Sequence, residues 1–202
     1  MEKRDSNQNS PWLSLWIHPR QTMRRIFDTN LCSYVIPITM IGGAIGALST
    51  VSAFWITYPQ REIFKHPLFV IIALLVGSLL GLFHLYFGGW LYNVVGRWLK
   101  GKGDFSSVKC AVGWSAYPFA IASLLSLLQN LTVERPIISG LIAIVYLVVT
   151  LWALIISLYL LAESHLFSVW RALGTILVSF IMIFVFFMFI AFLIPLLKPI
   201  FD

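Results

Sequence analysis

Five stretches of this chain carry no charged residue, and they decide what it can fold into. Between Asp28 and Arg61, Lys65 and Arg97, Lys109 and Glu134, Arg135 and Glu163, and Arg171 and Lys198 there is no Asp, Glu, Lys or Arg. Each gap exceeds the roughly 20 residues a helix needs to cross the hydrocarbon core of a bilayer. A buried helix of a soluble domain stays this apolar for only about 10–14 residues. The stretches do not alternate apolar and polar residues, which excludes a membrane β-barrel. In lipid the backbone must satisfy its own hydrogen bonds, so each stretch should be helical. Apolar residues make up 59% of the chain and charged ones 11%, against about 25% charged in soluble domains. The expected fold is an all-α integral membrane protein of five transmembrane helices, at about 31–55, 67–95, 110–131, 136–162 and 172–197, within a domain covering 29–202.

Two segments precede the first span. Residues 1–10 form a polar N-terminal tail without the apolar core of a cleavable signal peptide. Residues 11–28 read as a short amphipathic interfacial helix. Ser10-Pro11 suits a helix start. Trp12, Leu15 and Trp16 follow at helical spacing, and His18-Pro19 breaks the run. Met23, Ile26 and Phe27 then share one face, while Arg20, Arg24 and Arg25 lie off it. Such a segment fits the headgroup region, as an anchor or as a partner site. Cys32 and Cys110 sit at span borders without CxxC spacing, so neither a disulfide framework nor a zinc site is expected. No metal or cofactor is implied.

Small residues mark helix contacts. Gly42 and Gly46 in the first span and Gly77 and Gly81 in the second form GxxxG steps. These predict packing of one span on the other, with homo-oligomerisation as the alternative. The third span is the most polar and holds Gly113, Ser115, Tyr117 and Pro118. Its proline predicts a kinked or partly re-entrant helix. The bulky FIMIFVFFMFI run of the fifth span predicts a lipid-facing rim.

Orientation follows from Lys and Arg. With a cytoplasmic N-terminus, the inner segments hold Lys3, Arg4, Arg20, Arg24, Arg25, Arg97, Lys100, Lys102, Lys109 and Arg171. The outer side holds only Arg61, Lys65, Arg135 and Lys198, and the C-terminus lies outside. The net charge of +6 thus gathers on a face built from Trp12, Trp16 and the inner basic residues. That face should attract anionic lipid headgroups or a protein partner. No basic soluble module exists for nucleic acid.

Three chemistries are open to the polar residues of the spans and their borders. His84 is the one ionisable residue deep in a span, which by default marks a functional site. With Ser115, Tyr117, Glu163 and His165 it could serve a small transporter or channel for protons, cations or small solutes. The bland alternatives are a hydrogen-bonded neutral histidine at His84 and a solvated Glu163-Ser164-His165 cluster at the membrane border. Ser115 with His84 superficially offers an intramembrane serine hydrolase, but the motif lacks a glycine after the serine. Gly101-Lys102-Gly103-Asp104 lacks the frame of a phosphate loop. Its glycines read as tight-turn residues.

The order of these pieces resembles the Yip domain family, small multispanning proteins named for interaction with Ypt/Rab GTPases. The resemblance rests on the segment from Pro11-Trp12 through Pro19 to Ile26, on the Gly101–Phe105 loop, on Gly113-Trp114-Ser115-Ala116-Tyr117-Pro118, and on the five-span plan. It covers nearly the whole chain. It makes Pro19, Gly101, Gly103, Gly113 and Pro118 motif positions. It implies a non-enzymatic protein with a membrane-organising, trafficking or scaffold role. The membrane would be the cell (inner) membrane, or ER and Golgi in a eukaryote. The short N-terminal segment is more similar to prokaryotic members than to eukaryotic ones, whose partner contacts are attributed to a longer segment.

Overall fold

The computed structural model describes residues 10–201. Apart from Ser10, the expected polar tail lies outside the described residues. The described residues contain no strand. In chain order the helices are α1 (Pro11–Ile17), α2 (Pro19–Asp28), α3 (Val35–Thr57), α4 (Pro67–Phe83), α5 (Gly89–Trp98), α6 (Phe105–Leu131), α7 (Pro136–Ser164) and α8 (Val169–Phe201). A 3₁₀ turn (Leu31–Tyr34) leads into α3, and a π turn (His84–Gly88) joins α4 to α5. Five segments are long and apolar enough to cross a membrane: Leu31–Thr57, Pro67–Trp98, Phe105–Leu131, Pro136–Ser164 and Val169–Phe192. At 1.5 Å per residue they measure roughly 36–48 Å, more than the roughly 30 Å hydrocarbon core.

Helix starts follow local chemistry. Proline occupies the first turn of α1, α2, α4 and α7, where its missing N–H costs nothing. The Asp104 carboxylate accepts the Ser107 N–H at 3.2 Å to cap α6. The Ser107 side chain first, and this backbone N–H with it, hold the Asp104 carboxyl below its usual range.

Helix α6 is the centre of the bundle. It packs between α3 and α7 and also meets α5, while α4 lies on α3 and α8 rests on α5 and α7. It runs unbroken through Pro118, so the span is a full-length helix rather than a re-entrant one. The Ser115 hydroxyl donates to the Val112 carbonyl at 2.7 Å.

The α3–α4 contact is made by glycines, with a changed register. The α3 residue facing Gly77 and Gly81 is Gly43, whose backbone lies so close to Gly77 that a Cβ on either would collide with the other helix. Gly42 and Gly46 turn instead toward α6, where added Cβ atoms would sit 3.6 Å from Ala120 Cβ and 3.9 Å from Ser123 Oγ. The spacing read from the sequence identified the close helices but assigned the wrong α3 face, because Gly42 and Gly43 are adjacent and point about 100° apart.

Cys32 and Cys110 form a disulfide with Cα atoms 5.2 Å apart. This corrects the reading that no disulfide forms. The turn before α3 lies against α6, as the Trp114 Nε1–H donating to the Leu31 carbonyl at 3.3 Å also shows. A sequence separation of 78 residues carries no trace of that proximity.

Helices α1 and α2 dock onto the bundle. Leu15, Met23 and Ile26 are fully buried. Trp12 lies 4.8 Å from the Trp114 ring and 5.0 Å from Tyr117, and Trp16 lies 6.3 Å from Tyr117. The Trp152 Nε1–H donates to the Trp16 carbonyl at 3.0 Å. The apolar face expected to meet lipid therefore meets α6 and α7. At the far rim, α8 residues Phe184 to Phe189 are each 56–62% exposed.

Candidate functional site

Two places gather the residues singled out in the sequence. The first is the corner between α7 and α8. Glu163 lies in the last turn of α7 and is 6% exposed. A carboxylate there faces the negative end of the helix dipole and needs cations. Arg24 supplies Nε at 2.5 Å from Oε1, and Arg20 supplies Nε at 3.7 Å from Oε2. Arg20 also donates to the Phe167 carbonyl at 3.3 Å and lies 5.9 Å over the Tyr159 ring. The hydrogen bond and charge of Glu163 push the Arg24 guanidinium above its ordinary range. Glu163 thus clamps α2 onto the bundle.

His165 follows and is 0% exposed. Its Nε2 lies 3.2 Å from the Tyr92 carbonyl, its ring packs 5.0 Å from Phe167, and Nδ1 is buried without a partner among the described residues. Burial pushes the imidazole down, the Tyr92 carbonyl opposes this, and the Arg97 charge adds to it. Glu163 and His165 are therefore buried, not solvated as expected from their border position.

Three glycines make room for the ring. A Cβ on Gly101 would lie 2.6 Å from His165 Nδ1 and 2.8 Å from the Gly96 carbonyl oxygen. On Gly103 it would lie 2.5 Å from the Ser164 carbonyl oxygen and 2.8 Å from Nδ1. On Gly96 it would lie within 2.6 Å of Cε1. No glycine has a positive φ; Lys100, at 65°, takes the left-handed position of the turn. The loop glycines are thus required for space around His165, not for turn geometry. Lys102 N–H donates to the His165 carbonyl at 3.0 Å and closes the corner. Arg97, Lys100, Lys102 and Arg171 stay exposed, whereas Arg25 is half-buried. The Lys109 amine sits 5.3 Å and 5.7 Å over the Tyr86 and Phe105 rings.

The second place is a cavity of about 420 Å³ between α3, α4, α5, α6, α7 and α8, with Tyr92 as the α5 contribution. His84 and Ser115 both line it, whereas Tyr117 packs on Trp12 and Trp16. His84 opens the π turn and has no hydrogen-bond partner among the described residues. The π turn escaped the sequence reading; its visible trace was Gly88-Gly89, where a Cβ on Gly89 would stand 3.3 Å from the Lys109 Cα. The Ser115 hydroxyl is spent on Val112, so the hydrogen bond a serine nucleophile needs from His84 is not made. Along α6 the cavity runs from Ala111 to Ser123, roughly 18 Å of helix.

The remaining motif positions are structural. Pro19 starts α2, Pro118 is buried in α6, and a Cβ on Gly113 would lie 2.6 Å from Val35 Cγ1 and 3.2 Å from Leu85 Cδ1. Each sits where two elements meet. The Yip1 domain family model matches residues 13–192. The chain belongs to the Yip1 domain family. No curated protein and no solved structure matches. The Yip1 match takes in the Glu163–His165 corner, the loop that wraps it and the His84 cavity alike.

Proposed function

We propose that this Yip1 domain protein is a non-enzymatic organiser of its membrane, acting through a fixed basic face on the cytoplasmic side. One observation carries the reading: the Glu163–His165 corner binds α2 through arginine and the basic loop through its backbone and glycines. Arg97, Lys100, Lys102 and Arg171 are thereby held on one end of the bundle rather than on a free loop. A preset cluster loses less entropy on meeting an anionic surface. Each surface cation near anionic lipid is worth about 1 kcal/mol at moderate salt. The positive-inside bias supports a cytoplasmic N-terminus.

The test is an Arg97→Gln/Lys100→Gln/Lys102→Gln variant in vesicles doped with spin-labelled anionic or zwitterionic lipid. Native tryptophans should be quenched preferentially by the anionic label, and the variant and raised salt should both remove that preference. An unchanged preference refutes the reading. Arg24 is left intact because its loss would strand the buried Glu163 charge.

The cavity favours a second reading, a small transporter using His84. Proteoliposome flux of protons or cations that depends on His84→Ala supports it, and absence of flux removes it.

A further inference from the structure

We propose that the cavity around His84 is a binding site for an uncharged lipid carrying a hydroxyl head. The inference does not depend on the basic-face reading. Its starting point is an imbalance of hydrogen-bonding groups in a place without bulk water. His84, Tyr92, Ser115, Ser123 and Ser157 line the cavity, and no Asp, Glu, Lys or Arg does. A charged ligand would therefore find no counter-ion at this depth, which is costly. The serine protons are already used. Ser115 donates to Val112 at 2.7 Å, Ser123 to Phe119 at 3.1 Å and Ser157 to Leu154 at 2.7 Å. Thr39, also on the wall, donates to Val35 at 2.8 Å. Each of these four hydroxyl oxygens keeps accepting capacity but has no proton left to give, which leaves His84 and the Tyr92 phenol as the side-chain donors of the wall.

His84 is exposed at the wall and unpartnered among the described residues. An uncharged imidazole offers one donor and one acceptor. The wall as a whole is rich in acceptors and poor in donors. A ketone, ester or ether would satisfy only the His84 and Tyr92 donors and leave the hydroxyl acceptors unmatched. A hydroxyl accepts from His84 and donates to the surplus acceptors, so it is the smallest uncharged group that matches both. The rest of the wall is apolar or small, including Ala116, Phe119 and Leu154. The 420 Å³ falls in the roughly 300–1,000 Å³ range of small-molecule pockets. That suits a hydrocarbon body below the head. The lining residues lie within the spans, so the ligand arrives from the hydrocarbon phase. The π turn that opens at His84 belongs to a class of helix defects common at ligand sites.

The test uses the whole protein in nanodiscs and a diazirine-bearing hexadecanol, with the matching alkane and carboxylate probes as controls. After photolysis, peptides of α4–α6 are compared with the lipid-exposed Phe184–Phe189 part of α8. The expected result is saturable labelling of cavity-lining residues by the alcohol. His84→Phe should weaken it about tenfold, the loss of one buried hydrogen bond, and leave alkane labelling unchanged. Ser157→Leu, which narrows the cavity without touching His84, should reduce labelling by the alcohol as well. Competition by unlabelled diacylglycerol or by unlabelled polyprenol identifies which membrane source supplies the head, and either outcome supports the site. Three results overturn the proposal: labelling no more saturable than on α8, equal capture of alkane and alcohol with indifference to His84→Phe, or preference for the carboxylate.

Discussion

Substituting Gly101 by alanine has an effect whose sign is decided by His165. Gly101 does not have a positive φ, so alanine meets no backbone penalty there. By itself, such a change stabilises a protein by about 0.4–1 kcal/mol, because the unfolded chain loses freedom. The new Cβ would stand 2.6 Å from His165 Nδ1, 2.8 Å from the Gly96 carbonyl oxygen and 2.9 Å from His165 Cγ. The ring is fully buried and the carbonyl is backbone, so neither yields cheaply. Overpacking of this kind costs about 1–3 kcal/mol. The net expectation is a loss of about 1–2 kcal/mol, or roughly 2–8 °C in thermal midpoint for a chain of this size. The assay is thermal unfolding in a fixed detergent, run as a double-mutant cycle with His165→Ala. In that background the loss should shrink, because only the contact with the Gly96 carbonyl remains. A gain in the wild-type background, or an equal loss in both, refutes the account of the loop glycines.

Three further outcomes follow from the corner and from the α3–α6 staple. Glu163→Ala frees Arg20 and Arg24, so trypsin should cut at these arginines faster in the variant; unchanged kinetics would show that α2 is held by its apolar face alone. Burial lowers the His165 pKa below 6.5, so its contribution is complete above pH about 6.5 and is lost as pH falls toward the folded-state value. The thermal midpoint should therefore drop between pH 7.5 and 5.5, and a His165→Gln variant should lose most of that drop; an equal drop in both excludes His165 as the cause. Finally, alkylation of the denatured protein should add no label until a reductant is present and two labels afterwards, as read by intact mass; labelling without reductant contradicts the Cys32–Cys110 bond.

The spans were legible because a missing charge is a strong signal in a chain that must cross lipid, and prolines such as Pro67 and Pro136 mark helix starts by their own covalent geometry. What stayed hidden depends on which surfaces meet. Gly42 and Gly43 are neighbours in sequence, and only the packed helices reveal that Gly43 faces α4. The disulfide joins residues whose proximity arises from the docking of the turn before α3 on α6. Glu163 and His165 sit at a span border, where solvent is the natural expectation, and their burial comes from α2 and the Gly101–Gly103 loop folding over them. The π turn lies in a span that is apolar on nearly every side, so there was no amphipathic period for its added residue to disturb, and Gly88-Gly89 was its one trace.

Helix α8 is held at its base through buried Ala172, Thr175 and Ser179. Farther along, Phe184 to Phe189 face outward on every side. The protein therefore does not set the angle of that half; the thickness of the surrounding bilayer does. A thinner membrane would tilt it and a thicker one would draw it upright, at a cost of fractions of a kcal/mol per Å. Its base carries Arg171 to the basic corner and Ile176 to the cavity wall. The helix is thus a lever whose long arm lies in lipid and whose short arm touches both sites.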